Sequence, residues 1–117
     1  MVVKVKKLFR IFLRWFYSVL PGYSTFVVEE ELPKKLKKRA LYVVQEDGYV
    51  EFAAMLCPCG CGKILYMNLL TDERPCWRVK IHKNNTASLH PSVNRQKGCC
   101  SHFWFKKGRV VWCDDAE

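Results

Sequence analysis

The residues best suited to chemistry are the seven cysteines, because most of them fall in two short clusters. The first cluster is CPCGCG at residues 57–62, and the second is GCCSH at residues 98–102. Zinc is bound by thiolate sulfur and imidazole nitrogen, most often by four ligands in a tetrahedron. Glycines allow the tight turn that brings neighbouring thiols together. The two clusters therefore predict one structural Zn²⁺ ion.

Two sets of zinc ligands fit this spacing. The first set leaves His102 available for other chemistry and consists of Cys57, Cys59, Cys61 and Cys99. The second set replaces Cys59 with His102, which follows Cys99 with the spacing C-x-x-H. We adopt the four-cysteine set as the prediction and keep the second set open.

A hydrolase needs a nucleophile and a base, and the sequence offers few candidates for either role. Among the three histidines, His102 is the best candidate for the base, and Ser92 and Ser101 are the candidate nucleophiles. A metallopeptidase would need an open zinc position and a nearby carboxylate, for which Glu51 and Asp72 are weak candidates. Neither HExxH nor GxSxG is present, so spacing alone predicts no catalysis.

From Ala40 onward the sequence is typical of short strands separated by turns. Alternating apolar residues and Gly- or Asn-containing turns predict a mostly β fold. We expect a small, zinc-ribbon-like antiparallel domain at residues 40–117, with the cysteine clusters at strand ends. The predicted strands cover residues 40–44, 49–56, 64–70, 76–82, 86–90, 102–105 and 109–113.

The N-terminal third predicts an amphipathic α-helix at residues 3–20, within a first segment at residues 1–22. Its basic face carries Lys6, Lys7, Arg10 and Arg14, and Pro21-Gly22 ends it. A charged connector follows at residues 23–39. Three interpretations stay open for what the apolar face of the helix contacts: a membrane surface, a partner protein or second copy of the chain, or the chain's own domain.

The charge of the chain is unevenly distributed. The formal net charge is +9, of which residues 1–39 contribute +7 and residues 40–117 contribute +2. A nearly neutral β domain argues against nucleic-acid binding by that domain. The sequence shows neither a secretory signal nor about 18 consecutive uncharged apolar residues. Clustered cysteines of this kind favour a reducing cytoplasm.

Three segments carry a resemblance to a known family: LYVVQEDGYVEFAAMLCPCGCGKILYMNLLTDERPCWRV, SLHPSV and GCCSHFWFKKGRVVWC. Together they resemble a family of small bacterial zinc-binding proteins, formerly a domain of unknown function, that are encoded beside ubiquitin-like conjugation systems. The resemblance covers roughly residues 36–113. It implies a peptidase that acts on the ubiquitin-like protein, and it implies that protein or its conjugation enzymes as partners.

Two features depart from the family. Cys100 stands where relatives more often have a basic residue, and the basic helix precedes the region of resemblance. The resemblance implies a peptidase, and between the two mechanisms we expect the serine type rather than the metallo type. The alternative hypothesis is a non-catalytic zinc-binding interaction module that docks a partner or membrane through the helix.

Overall fold

The structure, a computed structural model, describes Ile11, residues 22–94 and residues 102–113. The described residues form eight strands: β1 Ser24–Glu29, β2 Ala40–Glu46, β3 Tyr49–Leu56, β4 Ile64–Asn68, β5 Arg78–Ile81, β6 Ala87–Asn94, β7 His102–Lys106 and β8 Arg109–Trp112. They make two four-stranded sheets, with the orders β1-β2-β3-β4 (sheet 1) and β5-β6-β7-β8 (sheet 2). The expected mostly β fold is confirmed.

Tight hairpins join strands within each sheet. β2 and β3 are connected through Asp47 and Gly48, and β7 and β8 through Lys107 and Gly108. All four residues have a positive φ, between 48° and 82°. A positive φ at both central residues matches the right-handed twist of the flanking strands, which favours glycine at the second position.

The two sheets pack face to face over one hydrophobic core. This core takes Met55 and Met67 from sheet 1 and Phe103 and Phe105 from sheet 2, together with other buried side chains of both sheets. Phe103 and Phe105 are fully buried. Each such phenylalanine contributes about 1.5–3 kcal/mol by its burial. Strand β7 is therefore anchored by alternate residues, and the residues between them lie on the opposite face of sheet 2.

Strand β1 was not among the predicted strands, and it lies within the predicted charged connector. It pairs with β2 in parallel, with Ser24 opposite Ala40. A second, smaller core covers the outer face of sheet 1. There Leu36 of the connector packs with Ala40, Tyr42 and Ala54, and Leu32 packs against them. The connector is thus part of the packed structure.

The predicted helix at residues 3–20 lies outside the described residues except for Ile11. This prediction and the role of its apolar face therefore stay predictions. Within the described residues, no helix is long and apolar enough to cross a membrane.

Candidate functional site

Strands β6 and β7 pair irregularly at the centre of sheet 2. Leu89 faces Phe105 and Val93 faces Phe103, and the register shifts between these two pairs. Three residues of β6 therefore lie opposite the single residue Trp104 of β7. Bulges of this kind redirect side chains and are common beside active sites. Ser92 is the last residue of this bulge.

The bulge brings Ser92 of β6 to His102 at the start of β7. Their side chains contact each other, with 3.0 Å between Ser92 Oγ and His102 Nε2. Both residues are half-buried. In the tautomer with the proton on Nδ1, the serine hydroxyl donates to Nε2, which is the arrangement that general-base activation of a serine requires.

Hydrogen bonds to the main chain hold both residues in place. Trp77 Nε1 donates to the carbonyl oxygen of Ser92 at 3.3 Å. The backbone N–H of Cys113 donates to the carbonyl oxygen of His102 at 2.9 Å. The Trp77–Ser92 bond was not indicated by sequence pattern, because it joins a side chain to a main-chain oxygen of a different strand.

Sheet 2 contains a second serine–histidine contact that the sequence did not indicate. His82 Nε2 lies 2.9 Å from Ser88 Oγ. The same hydroxyl accepts a hydrogen bond of 2.8 Å from the backbone N–H of Lys107. Ser88 thereby ties the β7–β8 turn to β6, which gives this pair a structural role.

The other candidates for the site are placed as follows. Ser101 and Cys99 lie outside the described residues. Glu51 is half-buried on β3, and Asp72 is exposed in the turn after β4. Among the described residues, the one group of three or more potential metal ligands contains neither carboxylate.

That group consists of Cys57, Cys59 and Cys61, in the loop between β3 and β4. The three sulfur atoms lie within 4.8 Å of one another, and the Sγ atoms of Cys57 and Cys59 are 3.3 Å apart. The Cys57 N–H donates to the carbonyl oxygen of Lys63, and the Gly60 N–H donates to that of Cys57. These bonds close a tight loop whose thiols converge.

The cysteine loop fits a zinc ion. A tetrahedral site with Zn–S distances of about 2.3 Å separates its sulfurs by roughly 3.8 Å, which is close to the spacing of the three thiols. Cys57 is buried, Cys59 is half-buried and Cys61 is exposed. Gly60 and Gly62 have φ values of 88° and 84°, which any other residue would adopt with strain. His102 is not part of this group of ligands.

Comparisons with known proteins give one match. The model of the family described as bacterial ubiquitination-like system serine protease (BubE) matches residues 28–113, well over half of the chain. Searches of curated proteins and of solved structures found no significant match. The matched region begins within β1 and contains both the Ser92–His102 pair and the cysteine loop. The chain belongs to the family of bacterial ubiquitination-like system serine proteases.

Proposed function

We propose that this chain is a serine peptidase that cleaves the ubiquitin-like protein of its conjugation system, with Ser92 as the nucleophile and His102 as the general base. The observation that carries the proposal is the 3.0 Å contact between Ser92 Oγ and His102 Nε2. The family description supports the same class of reaction. The ubiquitin-like protein and its conjugation enzymes are the partners that this function requires.

The pair can perform acyl transfer in two half-reactions. Ser92 Oγ attacks the carbonyl carbon of the scissile amide while its proton passes to His102 Nε2. The C–N bond then breaks, the imidazolium protonates the leaving amine, and an ester to Ser92 remains. Water then attacks the ester and gives its proton to the same imidazole. The acid product leaves, and the imidazolium returns the proton to Ser92 Oγ.

Ser92 is favoured over the other serines for two reasons. Ser88 also contacts a histidine, but its hydroxyl oxygen accepts the Lys107 N–H and is occupied by that structural bond. Ser101 lies outside the described residues, and its candidacy rests on its place beside His102 in the sequence. The bulge, in contrast, presents Ser92 directly to the imidazole.

We further propose that Cys57, Cys59, Cys61 and Cys99 bind one zinc ion with a structural role. The three converging thiols of the β3–β4 loop support this set. Because Cys99 precedes His102 by only three residues in sequence, the ion would cross-link that loop to the chain entering β7. This leaves His102 to act as the base.

A fluorophosphonate probe tests the proposed nucleophile, because it forms a covalent bond with activated serines. We expect one adduct per chain, located on Ser92 by peptide mass spectrometry and lost in Ser92→Ala. Ser88→Ala and Ser101→Ala are the matched controls, and both should keep the adduct. The same variants should show the same pattern in cleavage of a ubiquitin-like protein that carries a C-terminal extension.

Two results would contradict the assignment. Loss of the adduct in Ser101→Ala with retention in Ser92→Ala would transfer the nucleophile to Ser101. Absence of both labelling and cleavage in the folded wild-type protein would favour the non-catalytic interaction module.

A further inference from the structure

The outer face of sheet 2 is cationic. Buried residues alternate with outward residues on β7 and β8, where Phe105 and Val110 are buried and Lys106 and Arg109 are exposed. On β5, Lys80 faces Ser88 and Arg78 faces His90. Since Ala87 and Leu89 are in the core, these pairs lie on the outer face. We call this surface the cationic face; it consists of Arg78, Lys80, Lys106 and Arg109.

Charge is separated between the two sheets. Residues 76–94 and 102–113, which contain sheet 2, include six Lys or Arg and no Asp or Glu. Residues 22–75, which contain sheet 1, include seven Lys or Arg and eight Asp or Glu. The near-neutral net charge of residues 40–117 sums over both sheets and therefore does not show this division. A surface with one sign of charge attracts ligands of the opposite sign over several ångströms.

The Ser92–His102 pair lies on this same face. His102 and Trp104 flank the buried Phe103 on β7, so both point outward. The Trp104 ring lies 5.9 Å from the His90 ring, and the Lys106 ammonium lies 5.1 Å from the Trp104 ring centre. The face that carries the serine and the histidine therefore also carries aromatic rings and cations.

The geometry points to an acidic polypeptide segment as the ligand of the cationic face. This inference deepens the proposed function, on which it rests: the substrate would place Asp or Glu residues beside the scissile bond, over Arg78 and Lys80. A polypeptide is favoured over nucleic acid because the serine and histidine on this face act on acyl groups. Cations at the edge of an interface act mainly on association rate and salt dependence.

Binding of defined probes tests this inference. The first probe is a fluorescein-labelled 12-residue peptide alternating Glu and Gly, and the second has Gln in place of Glu. A single-stranded DNA of 12 nucleotides is the third. Anisotropy is measured with the full chain carrying Ser92→Ala, at low salt and at physiological salt. The charge-reversal variant is Arg78→Glu/Lys80→Glu, and its matched control is Lys34→Glu/Lys35→Glu in the connector.

We expect the Glu peptide to bind, the Gln peptide not to bind, and added salt to weaken binding. The Arg78→Glu/Lys80→Glu variant should bind the Glu peptide about 10-fold more weakly, and the control should change less than about 2-fold. In the chain with its native serine, saturating Glu peptide should slow fluorophosphonate labelling of Ser92.

Several outcomes would overturn the inference. Equal losses in the two double variants would place the acidic peptide elsewhere, and tighter DNA binding with the same dependence on Arg78 and Lys80 would make nucleic acid the ligand. If wild-type labelling fails while peptide binding still depends on Arg78 and Lys80, the peptidase proposal is contradicted. The binding of an acidic segment by the cationic face is then supported. Circular dichroism of both double variants separates these results from misfolding.

Discussion

The indole of Trp77 donates a hydrogen bond of 3.3 Å to the carbonyl oxygen of Ser92. Ser92 is therefore held twice, through its carbonyl oxygen by Trp77 and through its hydroxyl by His102. The first contact fixes the main chain of the bulge, and the second is the contact through which His102 would activate the hydroxyl in the proposed mechanism.

Replacing Trp77 with Phe should slow cleavage more than it alters binding. The ring remains, but the bond to the Ser92 carbonyl is lost, which costs about 0.5–1.5 kcal/mol. Poorer placement of Ser92 would lower kcat about 3- to 10-fold with little change in KM. Trp112→Phe is the control, because Trp112 packs against Phe103 in the same core. Equal effects of the two variants on kcat would refute a positioning role for Trp77.

Replacing His102 with Gln should abolish catalysis and leave the metal in place. Loss of the base should reduce fluorophosphonate labelling about 10²- to 10⁴-fold, while metal analysis still finds one zinc per chain. His82→Gln is the control, since His82 contacts Ser88 instead of Ser92. Loss of zinc in His102→Gln would instead identify His102 as the fourth ligand and remove the proposed base.

Replacing Cys59 with Ser should weaken zinc binding and lower thermal stability together. A serine hydroxyl is a poor substitute for a thiolate ligand. Replacing a residue that only hydrogen-bonds to a ligand already lowers metal affinity about 10- to 100-fold, so replacing a ligand should lower it at least as much. Competition with a chelator measures the affinity, and a thermal melt measures the stability. Cys113→Ser is the control, because Cys113 is not among the three converging thiols. A full zinc content with unchanged chelator resistance in Cys59→Ser would exclude Cys59 from the site.

The strands predicted from sequence, and all the chosen site residues except Cys99 and Ser101, lie within the described residues, and the reasons for success and failure are physical. Strands β2 to β8 have local alternation and turn residues, so pattern alone predicts them. Strand β1 carries a local signal of β-branched and aromatic residues, STFVVE, that the predicted connector passed over, and its parallel pairing with β2 is not indicated by pattern. Ser92 and His102 were candidates from sequence. Their contact depends on the bulge between Leu89 and Val93, which a sequence pattern does not indicate.

Replacing Gly108 with Ala should destabilise the fold more than the same change at Gly48. Both glycines have a positive φ, 76° and 82°, which costs alanine about 1–2 kcal/mol. A methyl group at Gly108 would also lie 3.0 Å from Thr86 and 3.1 Å from the Tyr23 carbonyl oxygen, whereas at Gly48 nothing lies within 4 Å. Overpacking adds about 1–3 kcal/mol at Gly108. Equal free energies of unfolding, measured by urea titration, would contradict the crowding at this turn.

The second core, on the outer face of sheet 1, is smaller than the main core, so the strand that it covers should be locally less stable. Its side chains pack β1 and the connector against sheet 1, and Leu36 and Tyr42 are its largest buried members. Edge strands with small cores open more readily than central strands. The backbone amides of β1 should therefore exchange with deuterium before those of β2 and β7. Opening of β1 would then proceed while Ser92 and His102 stay in contact, so that proteases could trim the N-terminal third and leave the serine–histidine pair assembled.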